Sequence, residues 1–273
     1  MKMHPLSLAD SALRVFPNVI LFDGGRYTIA SLLFATIGLI AMRSPWRVRK
    51  VQARRATGID YRRELFASMR SVLVYAAMFT PVLWATSHGL APAPMHGASG
   101  GLIALYVVVL LIGHDAYFYW THRLLHTPAF FKKWHRTHHR SITPTPFAAY
   151  AFDARESFVQ ALYFVIWQLV VPTPTAALFI ALGISILRNA WGHLGIELHP
   201  RGFADHWFWG NFNTTTHHDL HHSGSFGSNY GLYFTWWDRA MKTEHPQYHE
   251  IFREITSRPL AKRPSAEVVG VGL

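Results

Sequence analysis

The chain contains no cysteine. That excludes disulfides, thiolate metal sites, iron–sulfur clusters and a cysteine nucleophile in one step. Charge is scarce as well: Asp, Glu, Lys and Arg make up 15% of the 273 residues, against 50% hydrophobic. This is too apolar and too weakly charged for an ordinary soluble domain of that size. Acid is the scarcer sign, 15 residues against 26 basic ones, which leaves +11 with histidine neutral. A basic balance points to nucleic acid or to anionic lipid. Here the positive charge lies beside apolar runs rather than on a polar, separately foldable segment, so lipid is expected and nucleic acid is not. No signal peptide is expected either. Residues 1–20 carry Lys2, His4, Asp10, Arg14 and two prolines, with neither a continuous apolar stretch nor a small-residue cleavage site. They read as an interfacial helix or a loosely held end. Residues 257–273 hold Pro, Lys, Arg and Gly without periodicity and read as a disordered tail.

Five apolar runs, at about 27–42, 72–89, 101–120, 157–171 and 175–187, dominate what remains. A full membrane span needs about 20 helical residues, a length reached by the second and third runs. The last two are short and are parted by "PTPT" at 172–175. Proline lacks the N–H and restricts its predecessor, so this is a tight break and the pair reads as a short, shallow or re-entrant hairpin. The expected fold is all-α: a polytopic membrane protein of four to five apolar helices with a cytoplasmic helical cap. No solenoid repeat and no second domain is visible, so residues 1–273 read as one domain. Residues 43–70 carry nine Lys/Arg against Asp60 and Glu64. The positive-inside rule places them in the cytoplasm, and counting crossings places 121–156 and 189–273 there too.

That parity puts the histidines on one side. Of 18, 13 lie from His114 to His222. "HRLLH" sets His122 and His126 at i and i+4. "HRTHH" sets His135, His138 and His139 at i, i+3 and i+4, and "HDLHH" repeats this with His218, His221 and His222. Positions three and four apart share a helix face, so each box is expected to aim two or three imidazoles at one point. Three such boxes exceed what one metal can use, and two metals are the natural reading. Neutral imidazole suits Fe, Zn, Cu and Ni. Hydrolytic zinc usually takes three protein ligands and keeps one position open, whereas a pair of irons that must bind and reduce dioxygen suits this many imidazoles. Zinc remains open as a substitute.

The stretches "HDAYFYWTHRLLH", "WHRTHH" and "HHDLHH", the last followed by "NYGLYFTWWDRAMKT", resemble the fatty acid hydroxylase/sterol desaturase superfamily of integral-membrane, histidine-box di-iron oxygenases. The resemblance covers about residues 102–243, with the boxes in the same order at matching intervals. It implies His122, His126, His135, His138, His139, His218, His221 and His222 as iron ligands. It also implies a further histidine after the second hairpin, a role "NAWGHLGIE" offers to His193, with Glu197 one turn on as its partner. Two departures stand out. Lys242 occupies the place of a glycine that usually precedes the threonine of Trp-Asp-x-x-x-Gly-Thr. The stretch "DARE" keeps Glu156 but lacks the His-Pro pair that often precedes the acid.

Asp115 lies seven residues before His122 on the same helical face and is expected to orient a ligand imidazole through its second N–H. His114 faces about 80° away from His122 at about 100° per residue and reads as a polar neighbour. His217, adjacent to His218, reads as a non-ligand; His199 and His206 are ambiguous. Tyr119, Trp120, Trp134, Trp236 and Trp237 read as an interfacial belt. The expected activity is O2-dependent hydroxylation of a membrane lipid at an unactivated C–H, the lipid being an acyl chain, sphingoid base, aminolipid or sterol. Desaturation by the same metal site is the second reading. A metal transporter, whose ligands would lie near the midplane, and a zinc hydrolase are more distant. No haem or flavin module is visible, so electrons are expected from a separate donor: a cytochrome b5-like protein, a ferredoxin or a reductase. The expected location is the bacterial inner membrane or the endoplasmic reticulum.

Overall fold

The computed structural model describes residues 7–223 and 226–260. Among the described residues the chain is helical and forms isolated β-bridges but no strand. Helix α1 (Leu8–Met42) starts at Ser7, whose hydroxyl accepts from Asp10 N at 3.1 Å. It continues through Pro17. Much of the stretch read as an interfacial or loose end is therefore the first part of a long helix, because the cap at Ser7 and the apolar residues from Leu13 onward extend the span back toward the N-terminus. Helix α2 (Gly58–Ser87) opens on Thr57, whose N–H donates to the Asp60 carboxylate at 2.8 Å. Helix α3 (Gly100–Leu125) opens on Ser99, which accepts from Leu102 N. These are ordinary N-caps, in which a short polar side chain satisfies an N–H that the helix cannot.

After α3 the chain breaks into short pieces: α4 (Pro128–Phe130), a π-helical turn (Phe131–His135) and α5 (Arg136–His139). A 3-10 turn (Pro146–Tyr150) follows, then α6 (Ala154–Val170) and α7 (Thr175–Gly192), parted by the prolines of the expected break. The C-terminal part holds α8 (Thr215–Ser223), α9 (Trp236–Ala240) and α10 (Tyr248–Ser257). Residues 261–273, most of the expected tail, lie outside the described residues. Helices α1, α2, α3 and α7 are long and apolar enough to cross a membrane, over Leu13–Met42, Gly58–Ser87, Gly100–Leu125 and Thr175–Gly192. The α6–α7 hairpin reaches the far end of the bundle rather than stopping short: Met95 N, in the α2–α3 connection, donates to Thr173 O at 3.0 Å.

The bundle is apolar outside and carries hydroxyls among the apolar clusters inside. Ile29, Leu32 and Ile40 on α1 and Leu105, Val108 and Ile112 on α3 are exposed. Ser31, Ser68, Ser71 and Thr80 are buried. Such a pattern suits a lipid surroundings, in which outward apolar side chains lose nothing and inward hydroxyls find partners. Those partners position the cap. Ser31, Ser68 and Ser71 donate to the carbonyls of Pro146, Phe147 and Tyr150, at 3.2, 2.9 and 2.6 Å. A 3-10 turn leaves such carbonyls without helical partners, and buried ones must be paired. Tyr150 then inserts between α1 and α2, stacked on Tyr27 at 5.4 Å and edge-on to Tyr75 at 5.0 Å. The connections 43–57, 126–153 and 193–260 gather at this same end: Val51 N donates to Gly195 O, Glu197 N to Arg49 O, and Gln52 Nε2 to Ile142 O. The basic segment and all three histidine boxes thus share one end of a multi-pass bundle.

Candidate metal centre

Nine histidines converge in two groups. His122, His126, His135, His139 and His221 form one; His138, His193, His218 and His222 form the other. Within each group one nitrogen per ring lies within 4.8 Å of all the rest. These are the nine expected residues, and the structure brings all of them together. It also shows how each box is divided. Each His-x-x-His-His box was expected to aim two or three imidazoles at one point; each aims two there and sends the third to the other group. His135 and His139 go to the first group and His138 to the second; His218 and His222 go to the second and His221 to the first. The reason is helical pitch. At about 100° per residue, i and i+4 differ by about 40°, while i+3 and i+4 point about 100° apart. A helix lying between two sites therefore gives its i, i+4 pair to one and its i+3 residue to the other.

Each element places its ligands through local chemistry. His122 is near the C-terminus of α3 and its Nδ1 donates to Tyr230 O at 2.9 Å. The π-helical turn ends on His135, whose Nδ1 donates to Glu156 Oε1 at 2.7 Å. Single π turns commonly mark functional sites. His193 caps α7 and donates from Nδ1 to Asn189 O at 2.8 Å. On α8, His221 donates to Ser228 O at 2.7 Å and His222 to Ser141 O at 3.1 Å. In each of these five rings the Nδ1 proton is held by an oxygen, so Nε2 carries the free lone pair.

Two of those lone pairs face each other directly, and the other Nε2 atoms crowd around them. His122 Nε2 and His135 Nε2 are 3.1 Å apart, with the Nδ1 proton of each ring already donated elsewhere. His139 Nε2 lies 3.0 Å from His135 Nε2 and 3.1 Å from His126 Nε2, and His218 Nε2 lies 3.0 Å from His193 Nε2. The Nε2 atoms of His221 and His222 are buried without a hydrogen-bond partner among the described residues. Opposed lone pairs repel unless a cation lies among them. A proton is a poor candidate for that cation: burial pushes His193 and His221 down to about 4, and burial reinforced by neighbouring imidazoles lowers His126, His135, His138, His139, His218 and His222. The donor set therefore fits two metal ions bound by neutral imidazoles. All-nitrogen ligation of this kind suits iron and also zinc, copper or nickel.

Two expected partners act elsewhere. Asp115 was expected to orient a ligand imidazole. Its Oδ1 instead accepts from Tyr233 N and Phe234 N, and its Oδ2 from Trp236 Nε1. Seven residues along α3 carry it about 10 Å from His122, so it ties down the loop after Tyr230 rather than a ring. Glu197 was expected to partner His193. Its Oε2 accepts from Thr216 N at 2.9 Å and Thr216 Oγ1 at 2.7 Å, and its Oε1 from His199 N and Nδ1. It thus sits at the first turn of α8, where the positive end of the helix favours a carboxylate. Burial pushes Glu197 up, but the bonds from His199 and Thr216 outweigh it and hold the group below the ordinary carboxylate range. The residue that does hold a ligand ring, Glu156, was noted in sequence only as part of a pattern. Its signal was a buried-helix start carrying an acid, 21 residues past His135. His114 is a polar neighbour as expected, bonded to Tyr233 Oη at 2.7 Å, and His217 is buried outside both groups. Tyr119 leaves the expected interfacial belt: it is buried, stacked on Trp237 and bonded to Thr243.

Residues 107–243 match the family described as fatty acid hydroxylase. The chain is 32% identical over 168 residues to the Delta(7)-sterol 5(6)-desaturase ERG3B of Gibberella zeae, a match covering 59% of this chain and 50% of that one. It is 37% identical over 142 residues to the lathosterol oxidase of Homo sapiens, covering 51% and 45%. It is 28% identical over 248 residues to the Delta(7)-sterol 5(6)-desaturase erg3B of Aspergillus fumigatus, covering 89% and 70%. The chain thus spans about half the length of the first of these relatives. No solved structure matches it significantly.

Proposed function

The chain belongs to the fatty acid hydroxylase family, and from that premise we propose that it is a di-iron membrane oxidoreductase that desaturates a sterol-like lipid. The observation that carries this reading is the pair of all-imidazole groups: in the first the His122 and His135 lone pairs are opposed, and each group holds a buried Nε2, of His221 or His222, with no hydrogen-bond partner among the described residues. The ligands are His122, His126, His135, His139 and His221 for one iron and His138, His193, His218 and His222 for the other. Two irons held there supply the O2-dependent removal of hydrogen from an unactivated C–H.

The protein's part is to hold the rings and keep water out. Glu156 and the carbonyls of Tyr230, Asn189, Ser228 and Ser141 fix five Nδ1 protons, which aims five Nε2 lone pairs inward without rearrangement. His135, His193, His221 and His222 are buried to within about 1%. Phe118 packs on His122 and Phe152 on His138, both with ring centroids 5.0 Å apart. These rings give the centre an apolar wall on the bundle side, from which a lipid can approach. Residues 1–273 act as one membrane-embedded unit, with the histidines on the cytoplasmic side and electrons delivered by a separate donor.

From sequence, hydroxylation stood ahead of desaturation. Both begin with the same hydrogen abstraction, so the boxes do not separate them. The names of the relatives reverse that order, since they are desaturases and an oxidase acting on sterols. In desaturation, two hydrogens from the lipid, two electrons from the donor and two protons reduce one O2 to two waters. The test is mass spectrometry of lipids from cells expressing the protein under ¹⁸O2. A product two hydrogens lighter and free of label supports desaturation. One labelled oxygen in the product restores hydroxylation. No O2-dependent lipid change with metal-loaded protein and a competent donor sinks both.

A further inference from the structure

A buried ion pair sits in the first spanning helix, far along the chain from every histidine box. Arg26 Nε and Nη2 both donate to Asp23 Oδ1, and Arg26 Nη1 donates to Leu182 O at 2.7 Å. The Asp23 side chain is 5% exposed and that of Arg26 15%. Ionisable groups at membrane depth are expensive and are retained where they meet a ligand or a path. One of these atoms lacks a partner: Asp23 Oδ2 is buried and accepts no hydrogen bond among the described residues. The guanidinium has five N–H donors, of which three are used here.

Both residues line a cavity of about 430 Å³ among α1, α2, α6 and α7. Its other walls are mainly apolar, Phe22, Leu83 and Phe179 among them. The size lies in the range of small-ligand sites. Arg26, Phe79 and Leu182 also line a second, smaller cavity of about 50 Å³, whose walls include Phe118 and Phe152. Those are the two rings packed on His122 and His138. The ion pair therefore stands at the neck between a lipid-sized apolar space and the wall of the metal centre. Gln160, in the smaller cavity, adds a buried side-chain nitrogen without a partner among the described residues.

We propose that Asp23 and Arg26 bind the hydroxyl of a neutral lipid alcohol whose apolar body fills the larger cavity, with its alcohol end toward the histidines. Asp23 Oδ2 accepts the hydroxyl proton, and a spare Arg26 N–H donates to the hydroxyl oxygen. The pair has no net charge, and its vacant acceptor is a carboxylate oxygen. A fatty-acid carboxylate or a phosphate would meet that oxygen as a like charge, so the site selects an uncharged donor. The proposal rests on the reading of the chain as an enzyme acting on a sterol-like lipid, and it names the residues that hold the polar end of that lipid.

The test measures binding alone, on the metal-loaded full chain in nanodiscs. The probe is a photoreactive 3β-hydroxysterol, competed by cholesterol, by cholesteryl methyl ether, which cannot donate, and by oleate. Crosslinks are expected on α1, α2, α6 or α7 around the cavity, with cholesterol competing at least tenfold better than the ether or oleate. The double variant Asp23→Leu/Arg26→Leu removes both charges together, a replacement that buried pairs often tolerate in stability. It is expected to keep its metal content and to bind the alcohol and the ether equally. Equal competition in the unaltered chain, a preference for oleate, crosslinks elsewhere, or a preference for alcohol that survives the double variant would each overturn the assignment. Binding at the cavity without O2-dependent lipid oxidation would leave this site standing and remove the enzymatic reading instead.

Discussion

Replacing Glu156 by Gln keeps an oxygen for the His135 Nδ1 proton, at the position where Oε1 lies 2.7 Å away, and removes only the charge. The carboxylate makes the imidazole a stronger donor to a metal, and loss of such a partner costs about tenfold to a hundredfold in metal affinity. Glu156→Gln is therefore expected to fold, to bind iron that much more weakly in chelator competition, and to leave His88→Ala, remote from both groups, as the unaffected control. Unchanged affinity would make Glu156 a packing residue only. A second residue shows a cost the chain carries without evident return. Lys242 has φ +56°, the left-handed region, at the place where the family resemblance puts glycine. A side chain there costs about 1–2 kcal/mol by steric contact, partly offset by the backbone entropy glycine loses on folding. Lys242 is exposed, so Lys242→Gly removes little else and is expected to stabilise by about 1 kcal/mol in thermal or denaturant unfolding. A lower melting temperature would show that the lysine side chain holds something the backbone does not need.

Helix α8 holds four consecutive-turn histidines in nine residues, too short to be stable alone in water. Its start depends on Glu197, which takes up Thr216 N and Oγ1. Glu197→Ala leaves a buried N–H unpaired, at a cost of about 1–3 kcal/mol. The damage falls unevenly, because α8 supplies His218 and His222 to the second group and only His221 to the first. The variant is expected to release its metal to a chelator in two phases, the first ion leaving early, with stoichiometry falling toward one. A single phase for both ions would disconnect Glu197 from the site. This asymmetry also marks where sequence reading stops. The eight box histidines were legible because their chemistry is carried by residue type and helical spacing, and His193 only through the family resemblance. Their division between two groups was not, because it depends on where α5 and α8 lie relative to the ions, and spacing along one helix carries no such information. The same holds for Asp115 and Glu197. Each is an acid at plausible helical spacing from a ligand, yet one serves the backbone of Tyr233 and Phe234 and the Trp236 indole, and the other a helix start. The long helices followed from apolar runs, but α1 begins some 19 residues before its run, since charged residues at a membrane end interrupt hydropathy without interrupting hydrogen bonding.

At the scale of the molecule, the basic connection and the histidine cap share one end of the bundle. Arg49 bonds to His199 O and Thr256 O, and Gln52 to Asp219. Placing one therefore places the other. Residues 43–70 carry nine Lys/Arg within a short connection and the start of α2, and translocating such a segment is strongly disfavoured, which sets orientation. The histidines should then face the cytoplasm, on the side where a soluble electron donor can reach them. The chain has no cysteine, so single cysteines report position without background. Arg54 and Arg140 are exposed at the cap end and Ala93 is exposed in the α2–α3 connection. In intact cells, a membrane-impermeant thiol reagent is expected to label Ala93→Cys and to spare Arg54→Cys and Arg140→Cys until the membrane is opened. If Arg54→Cys and Arg140→Cys label from outside and Ala93→Cys does not, the bundle is inverted and a cytoplasmic donor is excluded. If Arg54→Cys and Arg140→Cys label from opposite sides, the cap is not one-ended. The two histidine groups could then not be assembled in the membrane as their ring contacts require, because His138 and His139 lie within two residues of Arg140 while Gln52, two residues from Arg54, is bonded to the helix that carries His218 and His222.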